Sequence, residues 1–142
     1  MSRELLPLSV PNLMGKEIEY VSNVVKSGWV STAGPYVSDF ESKLSEYVNC
    51  KGAVSCQNGT SGLHIALQVC GISKDCEVIV PTLTFIAAVN PVKYTGAEPV
   101  FMDCDDSLTL DVAKLRAFFE NECSFIDGKL INKATKKHIK AI

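Results

Sequence analysis

The sequence predicts an α/β domain built on a parallel β-sheet. Three short apolar runs, residues 53–56, 77–81 and 98–103, read as buried strands, and segments with helical apolar spacing stand before, between and after them. The connections are short, which favours parallel strands joined by right-handed crossovers. A chain of 142 residues, 46% of them hydrophobic, is also long enough to bury one real core.

In chain order, Ile18, Val21, Val24 and Val25 recur at helical spacing over residues 15–27, and Gly28 stops that helix. Residues 29–35 form a loop that carries the only tryptophan, Trp29, with Ser31, Thr32 and a Gly-Pro turn. Trp29 there either lines a pocket or anchors packing. Phe40, Leu44, Tyr47 and Val48 mark a second helix ending near Asn49. Ala53, Val54 and Cys56 read as a short buried strand, which Asn58-Gly59 breaks. A mostly apolar helix with Leu63, Ile65, Ala66, Leu67 and Val69 follows, and Gly71 closes it.

After the strand at 77–81, Thr82 to Phe85 lead into an apolar segment, 86–94, that Gly96 ends. Asp103, Asp105 and Asp106 follow the next strand. They suit a helix-entry loop better than a metal site. Asp111 caps or begins a helix with Val112, Leu115, Phe118 and Phe119 on one face. Residues 125–131 carry the Asp-Gly hairpin signature, Lys133, Lys136, Lys137 and Lys140 read as a solvated basic surface, and 139–142 opens another strand. A domain that stops in mid-strand is expected to be truncated, leaving an unpaired sheet edge there.

The turn at 58–61 is the most informative stretch. Thr60 or Ser61 stands where a helix N-cap is wanted, and Gly59 presents no side chain to a ligand. Free N–H groups, a hydroxyl and the positive end of a helix dipole suit a phosphate. The same residues also make a good turn and cap with no ligand at all. Gly59 and Gly62 are spaced G-x-x-G, without the third glycine of a dinucleotide fingerprint or the Lys-Ser/Thr of a P-loop. This turn and the Thr84-Phe85 turn both stand at the carboxyl ends of parallel strands and are expected to face one crevice.

A formal net charge of −2 gives no electrostatic reason to expect nucleic acid or an anionic membrane as partner. No apolar signal region opens the chain, and the longest apolar stretch, 79–89, is too short to span a bilayer. A soluble, cytoplasmic protein is expected. The six cysteines form no C-x-x-C pair, and His64 and His138 lie far apart, so zinc has little support. Reduced thiols are expected, with Cys56 and Cys70 as small core residues.

Several blocks together resemble a known family. They are Leu6-Pro-Leu-Ser; Ser27-Gly-Trp-Val-Ser-Thr-Ala-Gly-Pro-Tyr-Val with Phe40-Glu41; Asn58-Gly-Thr-Ser-Gly-Leu-His; Val80-Pro-Thr-Leu-Thr-Phe-Ile-Ala; Gly96-Ala-Glu-Pro-Val-Phe; and Leu130-Ile-Asn-Lys with Ile139-Lys-Ala-Ile. In this order they resemble the sugar-nucleotide aminotransferases of the DegT/DnrJ/EryC1/StrS family over essentially the whole chain. The hairpin and Ile-Asn-Lys segment look most like the branch acting on UDP- or GDP-linked 4-keto-6-deoxy sugars, with perosamine synthetase and the legionaminic acid pathway enzymes as examples.

The resemblance implies a three-layer α/β fold with a mostly parallel sheet, the aspartate aminotransferase-like fold type I of pyridoxal phosphate (PLP)-dependent transferases. It also implies a homodimer with its site at the subunit interface. Gly59, Thr60 and Ser61 would hold the phosphate of pyridoxal 5′-phosphate, Phe85 would lie against the pyridine ring, and Ser31 and Thr32 would face the sugar nucleotide. The family's aspartate for the pyridine nitrogen and its Schiff-base lysine fall beyond the position matching Ile142. Residues 1–142 are therefore expected to be a truncated N-terminal portion of the large domain, with no catalytic residue assigned.

The activity implied is transfer of an amino group from glutamate to a nucleotide-linked 4-keto-6-deoxy sugar in surface-polysaccharide biosynthesis, the isolated chain being inactive. The alternative is a non-catalytic α/β binding or interaction fragment that retains the phosphate turn.

Overall fold

The computed structural model describes residues 6, 7 and 9–142, so the reading of the N-terminal Leu-Pro-Leu-Ser block rests partly on Leu8, outside the described residues. The chain divides into two compact units, residues 1–55 and 56–142.

The first unit holds two helices, α1 (Glu17–Ser27) and α2 (Pro35–Tyr47). α1 ends as predicted, with Gly28 in the left-handed region at φ 76°. α2 starts on Pro35, whose fixed φ and missing N–H suit a first helical position. Gly34 before it sits at φ 152°, and a Cβ there would stand 3.3 Å from Cβ of Trp29. Glycine is thus required at the turn. The apolar faces of the two helices line a groove of about 690 Å³ between Val21, Val24, Val25, Phe40 and Leu44. Trp29 itself is exposed.

The second unit is a three-layer sandwich. It runs α3 (Gly59–Val69), β1 (Cys76–Pro81), α4 (Ile86–Tyr94), β2 (Glu98–Met102), α5 (Val112–Glu122), β3 (Cys123–Ile126), β4 (Lys129–Asn132) and β5 (His138–Ala141). The sheet order is β2-β1-β5-β4-β3, with β1 parallel to both β2 and β5 and the β3–β4 hairpin added antiparallel. Alternation along β1 divides the core: Val78 and Val80 face Leu67 of α3 and Val89 and Val92 of α4, while Ile79 joins Met102, Cys123 and Ile139 under Leu115 and Phe118 of α5. The hairpin turns through Asp127 at φ 49° and Gly128 at φ 75°, the two positive angles that a two-residue primed turn needs.

Three sequence expectations are corrected. Residues 53–56 are not a buried strand: no strand is assigned there, and Val54 is 88% exposed. A strand exists only through a ladder partner, and none reaches this segment among the described residues. Residues 138–141 do form a strand, but it lies between β1 and β4 rather than at an open edge. The edges are β2 and β3. Cys56 and Cys70 are exposed, whereas Cys76 and Cys123 are the buried thiols; all six are free. Val54 near Cys56 and Val69 beside Cys70 are themselves exposed, at 88% and 83%.

Candidate functional site

The turn before α3 is organised by Asn58. Its backbone is extended, and its side-chain Oδ1 accepts the N–H of Ser61 at 2.9 Å, while its carbonyl accepts the N–H of Gly62 at 3.1 Å. The cap is therefore Asn58, not Thr60 or Ser61 as the sequence suggested. An asparagine three residues before the bonded amide satisfies the helix's third free N–H, and this frees both hydroxyls. Among the described residues, the N–H groups of Gly59 and Thr60 and the hydroxyls of Thr60 and Ser61 make no hydrogen bond.

The two glycines of the turn differ in kind. A Cβ added at Gly59 meets nothing within 4 Å, so that side of the turn is open to a ligand. One added at Gly62 would stand 3.1 Å from Sγ of Cys56. Gly62 thus lets the incoming chain lie close against the helix. Within the first unit, the carboxylate of Glu41 on α2 accepts both the N–H and the hydroxyl of Ser55 at 2.8 Å. These bonds, the backbone one foremost, hold the Glu41 carboxyl below its usual range.

Phe85 stands at the end of the loop that leaves β1 and occupies the cap position of α4. Its ring is 83% exposed, an unusual place for a large aromatic that nothing covers. α3 and α4 pack against each other in the same layer, with His64 edge-on to Tyr94 at 5.6 Å between ring centroids. The Nε2 of His64 is buried without a hydrogen-bond partner among the described residues. Phe85 follows a carboxyl strand end as expected. The 58–61 turn does not, since no strand precedes it.

Ser31 and Thr32 are exposed in the loop between α1 and α2 and belong to the first unit. The aspartates after β2 behave as a helix-entry loop. Asp103 pairs with Lys114 at 2.6 Å, Asp105 accepts from Ser107, and Asp111 Oδ1 caps α5 by accepting the N–H of Lys114 at 3.0 Å. Asn58 and Glu41 are the two residues of this region whose roles the sequence did not indicate. The Asn-x-x-Ser spacing was the available signal for the first; the second stood in the Phe40-Glu41 pair of the resemblance, with no role attached to it.

Fold and site define an α/β/α domain whose α3 start carries, among the described residues, two unpaired amides and two unengaged hydroxyls. The chain belongs to the DegT/DnrJ/EryC1/StrS aminotransferase family, which residues 11–126 match. It is 50% identical over 101 residues to GDP-perosamine synthase of Escherichia coli O157:H7, covering 71% of this chain and 28% of that protein. It is 37% identical over 127 residues to UDP-4-amino-4-deoxy-L-arabinose–oxoglutarate aminotransferase of Shewanella sediminis, covering 89% of this chain and 32% of that one. Among solved structures it resembles Spr1654 of Streptococcus pneumoniae, provisionally named a sugar aminotransferase and solved in PLP and pyridoxamine phosphate (PMP) forms. The TM-score is 0.71 at 32% identity, over 79% of this chain and 29% or 28% of the neighbour in the two forms. The chain thus spans about a third or less of the length of these relatives. Among the described residues, no helix is long and apolar enough to cross a membrane.

Proposed function

We propose that the chain is the N-terminal portion of the large domain of a pyridoxal phosphate-dependent sugar-nucleotide aminotransferase, and that the start of α3 is its seat for the cofactor phosphate. The observation that carries this reading is the pair of unpaired N–H groups on Gly59 and Thr60 beside two unengaged hydroxyls, in a chain of this family. Those donors fit a phosphate: the helix dipole adds positive potential, and the open space at Gly59 admits oxygen atoms to the backbone. Ser61 contributes its hydroxyl rather than its amide, because Asn58 already holds the amide.

Phe85, exposed beside the α4 start, supplies an apolar face for the pyridine ring and keeps water from it. Bound there, the cofactor supplies the electron sink for moving an amino group. Ser31 and Thr32 offer hydroxyls to the nucleotide-linked keto sugar, glutamate is the amino donor, and the working enzyme is a homodimer. These assignments rest on the resemblance and on the names of the relatives.

The isolated chain is proposed to be inactive. Five lysine ammonium groups are already engaged: Lys43 with Asp39, Lys93 with Glu98, Lys114 with Asp103, Lys133 with the Asn121 carbonyl and Lys140 with the Gly71 carbonyl. The test of the phosphate seat is calorimetric titration of the chain with pyridoxine 5′-phosphate, which has no aldehyde to label lysines, against unphosphorylated pyridoxine. Heat from the phosphate ester alone, lost on Thr60→Val, fits the reading. Equal binding of both compounds overturns it.

A further inference from the structure

Strand β5 carries one residue more than its neighbour can pair. Cys76 of β1 lies opposite His138 and Glu77 opposite Ile139, but Val78 lies opposite Ala141, so Lys140 is skipped. In a regular strand residues 139 and 141 would share a face. Here Ile139 joins Ile79 and Met102 on the α5 side, while Ala141 packs with Val78, Val80 and Leu67 on the α3 side. An extra residue of this kind re-aims its own side chain. The Nζ of Lys140 leaves the sheet and donates to the carbonyl of Gly71, just past the end of α3, at 2.9 Å.

The end of α3 is shaped to receive it. The N–H of Gly71 bonds the Gln68 carbonyl and the N–H of Ile72 bonds the Leu67 carbonyl, with Gly71 at φ 72° and Ile72 buried. That closure leaves the Gly71 carbonyl free for the lysine, and a Cβ at Gly71 would stand 2.8 Å from Nζ. A cation there also meets the negative end of the helix dipole. α3 is otherwise lightly held, since none of its residues is fully buried. Among the described residues, the Lys140 bond is the one hydrogen bond that joins the helix and its cap to the sheet.

We propose that Lys140 is a positioning residue for the cofactor-phosphate turn: it pins the far end of α3 to the sheet and so fixes where the near end, with the amides of Gly59 and Thr60, stands. The inference rests on the reading of that turn as the phosphate seat. Lys140 acts through Gly71 and the helix, not on the ligand. Eleven residues at about 1.5 Å each make α3 roughly 16 Å long. That exceeds the screening length of about 8 Å at physiological ionic strength, so the lysine's charge contributes little at the seat.

The experiment is a ¹H–¹⁵N titration of the 142-residue chain with pyridoxine 5′-phosphate at physiological ionic strength, for the wild type, Lys140→Met and Lys140→Arg. It follows the amides of Gly59 and Thr60, with those of Val100 and Phe101 in β2 as the check of folding. Methionine keeps the length of the side chain without a donor, whereas arginine keeps a donor. The expected result is that Lys140→Met weakens binding by roughly two- to fivefold and moves the ligand-free Gly59 and Thr60 resonances. Lys140→Arg recovers most of both, and the β2 resonances stay unchanged throughout. If Lys140→Met loses its folded spectrum, Lys140→Ser, polar but too short to reach Gly71, takes its place under the same expectations. Wild-type affinity in the variant without the bond, or failure of Lys140→Arg to recover affinity while folded, overturns the positioning role alone. A wild type whose Gly59 and Thr60 amides do not respond to the ligand overturns the phosphate reading itself, and the positioning role with it.

Discussion

The side-chain amide of Asn132 donates to the carboxylate of Glu77 at 2.9 Å, joining β4 to β1 past the intervening β5. Both residues are buried, at 7% and 3% exposure, and they are 55 positions apart in sequence. Asn132→Leu leaves a buried carboxylate without that donor. It should destabilise the chain by about 1–3 kcal/mol in urea unfolding, the cost of an unmet buried acceptor. An unchanged midpoint would show that water meets the need.

Asn58→Ala removes the α3 cap. Loss of a good N-cap costs about 0.5–2 kcal/mol, and the deficit should appear locally as faster hydrogen exchange at Ser61. Exchange at Ser61 as slow as in the wild type would contradict the capping role.

Gly59 and Phe85 separate ligand binding from folding. Gly59→Ala meets open space, and Phe85→Ala removes a ring that is largely exposed. Each should shift stability by no more than about 0.5 kcal/mol while weakening pyridoxine 5′-phosphate binding, the first by crowding the phosphate and the second by loss of the apolar face. Thr60→Val should weaken binding by on the order of 1–3 kcal/mol. Unchanged affinity in all three would remove these residues from the site.

Acid should destabilise the chain in two windows. Burial, helped by Lys129 and Lys140, holds His138 below its usual 6.5. The unfolded chain therefore takes up this proton first, and stability falls as pH drops below about 6.5. Lys114 beside Asp103, and Ser107 beside Asp105, hold those carboxyls below their usual 3.8, and Ser55 does the same for Glu41 below 4.5. Their contribution is complete above those ordinary values and is lost as pH falls through the lowered folded ones. His138→Gln should flatten the urea-midpoint profile between pH 7 and 5.5 and leave the acid limb below pH 4.5 in place. A profile identical to the wild type would contradict the first window.

Much of this was legible in the sequence because it is local. Gly28, Asp111 and the Asp127-Gly128 pair mark ends and turns through their own backbone preferences, and the structure follows them. What depends on distant partners was not legible. Ala53, Val54 and Cys56 have strand composition, but a ladder needs a neighbour. The Ile-Lys-Ala run near the end gives no hint of being an inner strand, because Lys140 escapes the sheet by reaching the Gly71 carbonyl at 2.9 Å. Glu77 and Asn132 look like ordinary strand-end polar residues until the sheet order brings them together. At the candidate site, the donors Gly59 and Thr60 were found through helix-terminus chemistry, whereas the cap by Asn58 required the fold.

Incubation with pyridoxal 5′-phosphate, borohydride reduction and peptide mapping test the proposed inactivity. Diffuse, low labelling over several lysines and no turnover of a keto sugar nucleotide are expected. Stoichiometric labelling of one lysine together with turnover would overturn that part of the account.

The most direct measurement is a crystal structure of the chain with pyridoxal 5′-phosphate bound. The account predicts the phosphate at the start of α3, accepting the N–H groups of Gly59 and Thr60 and the hydroxyls of Thr60 and Ser61, with the pyridine ring against Phe85. A cofactor bound elsewhere, or Thr60 and Phe85 on opposite edges of the sheet, would contradict it.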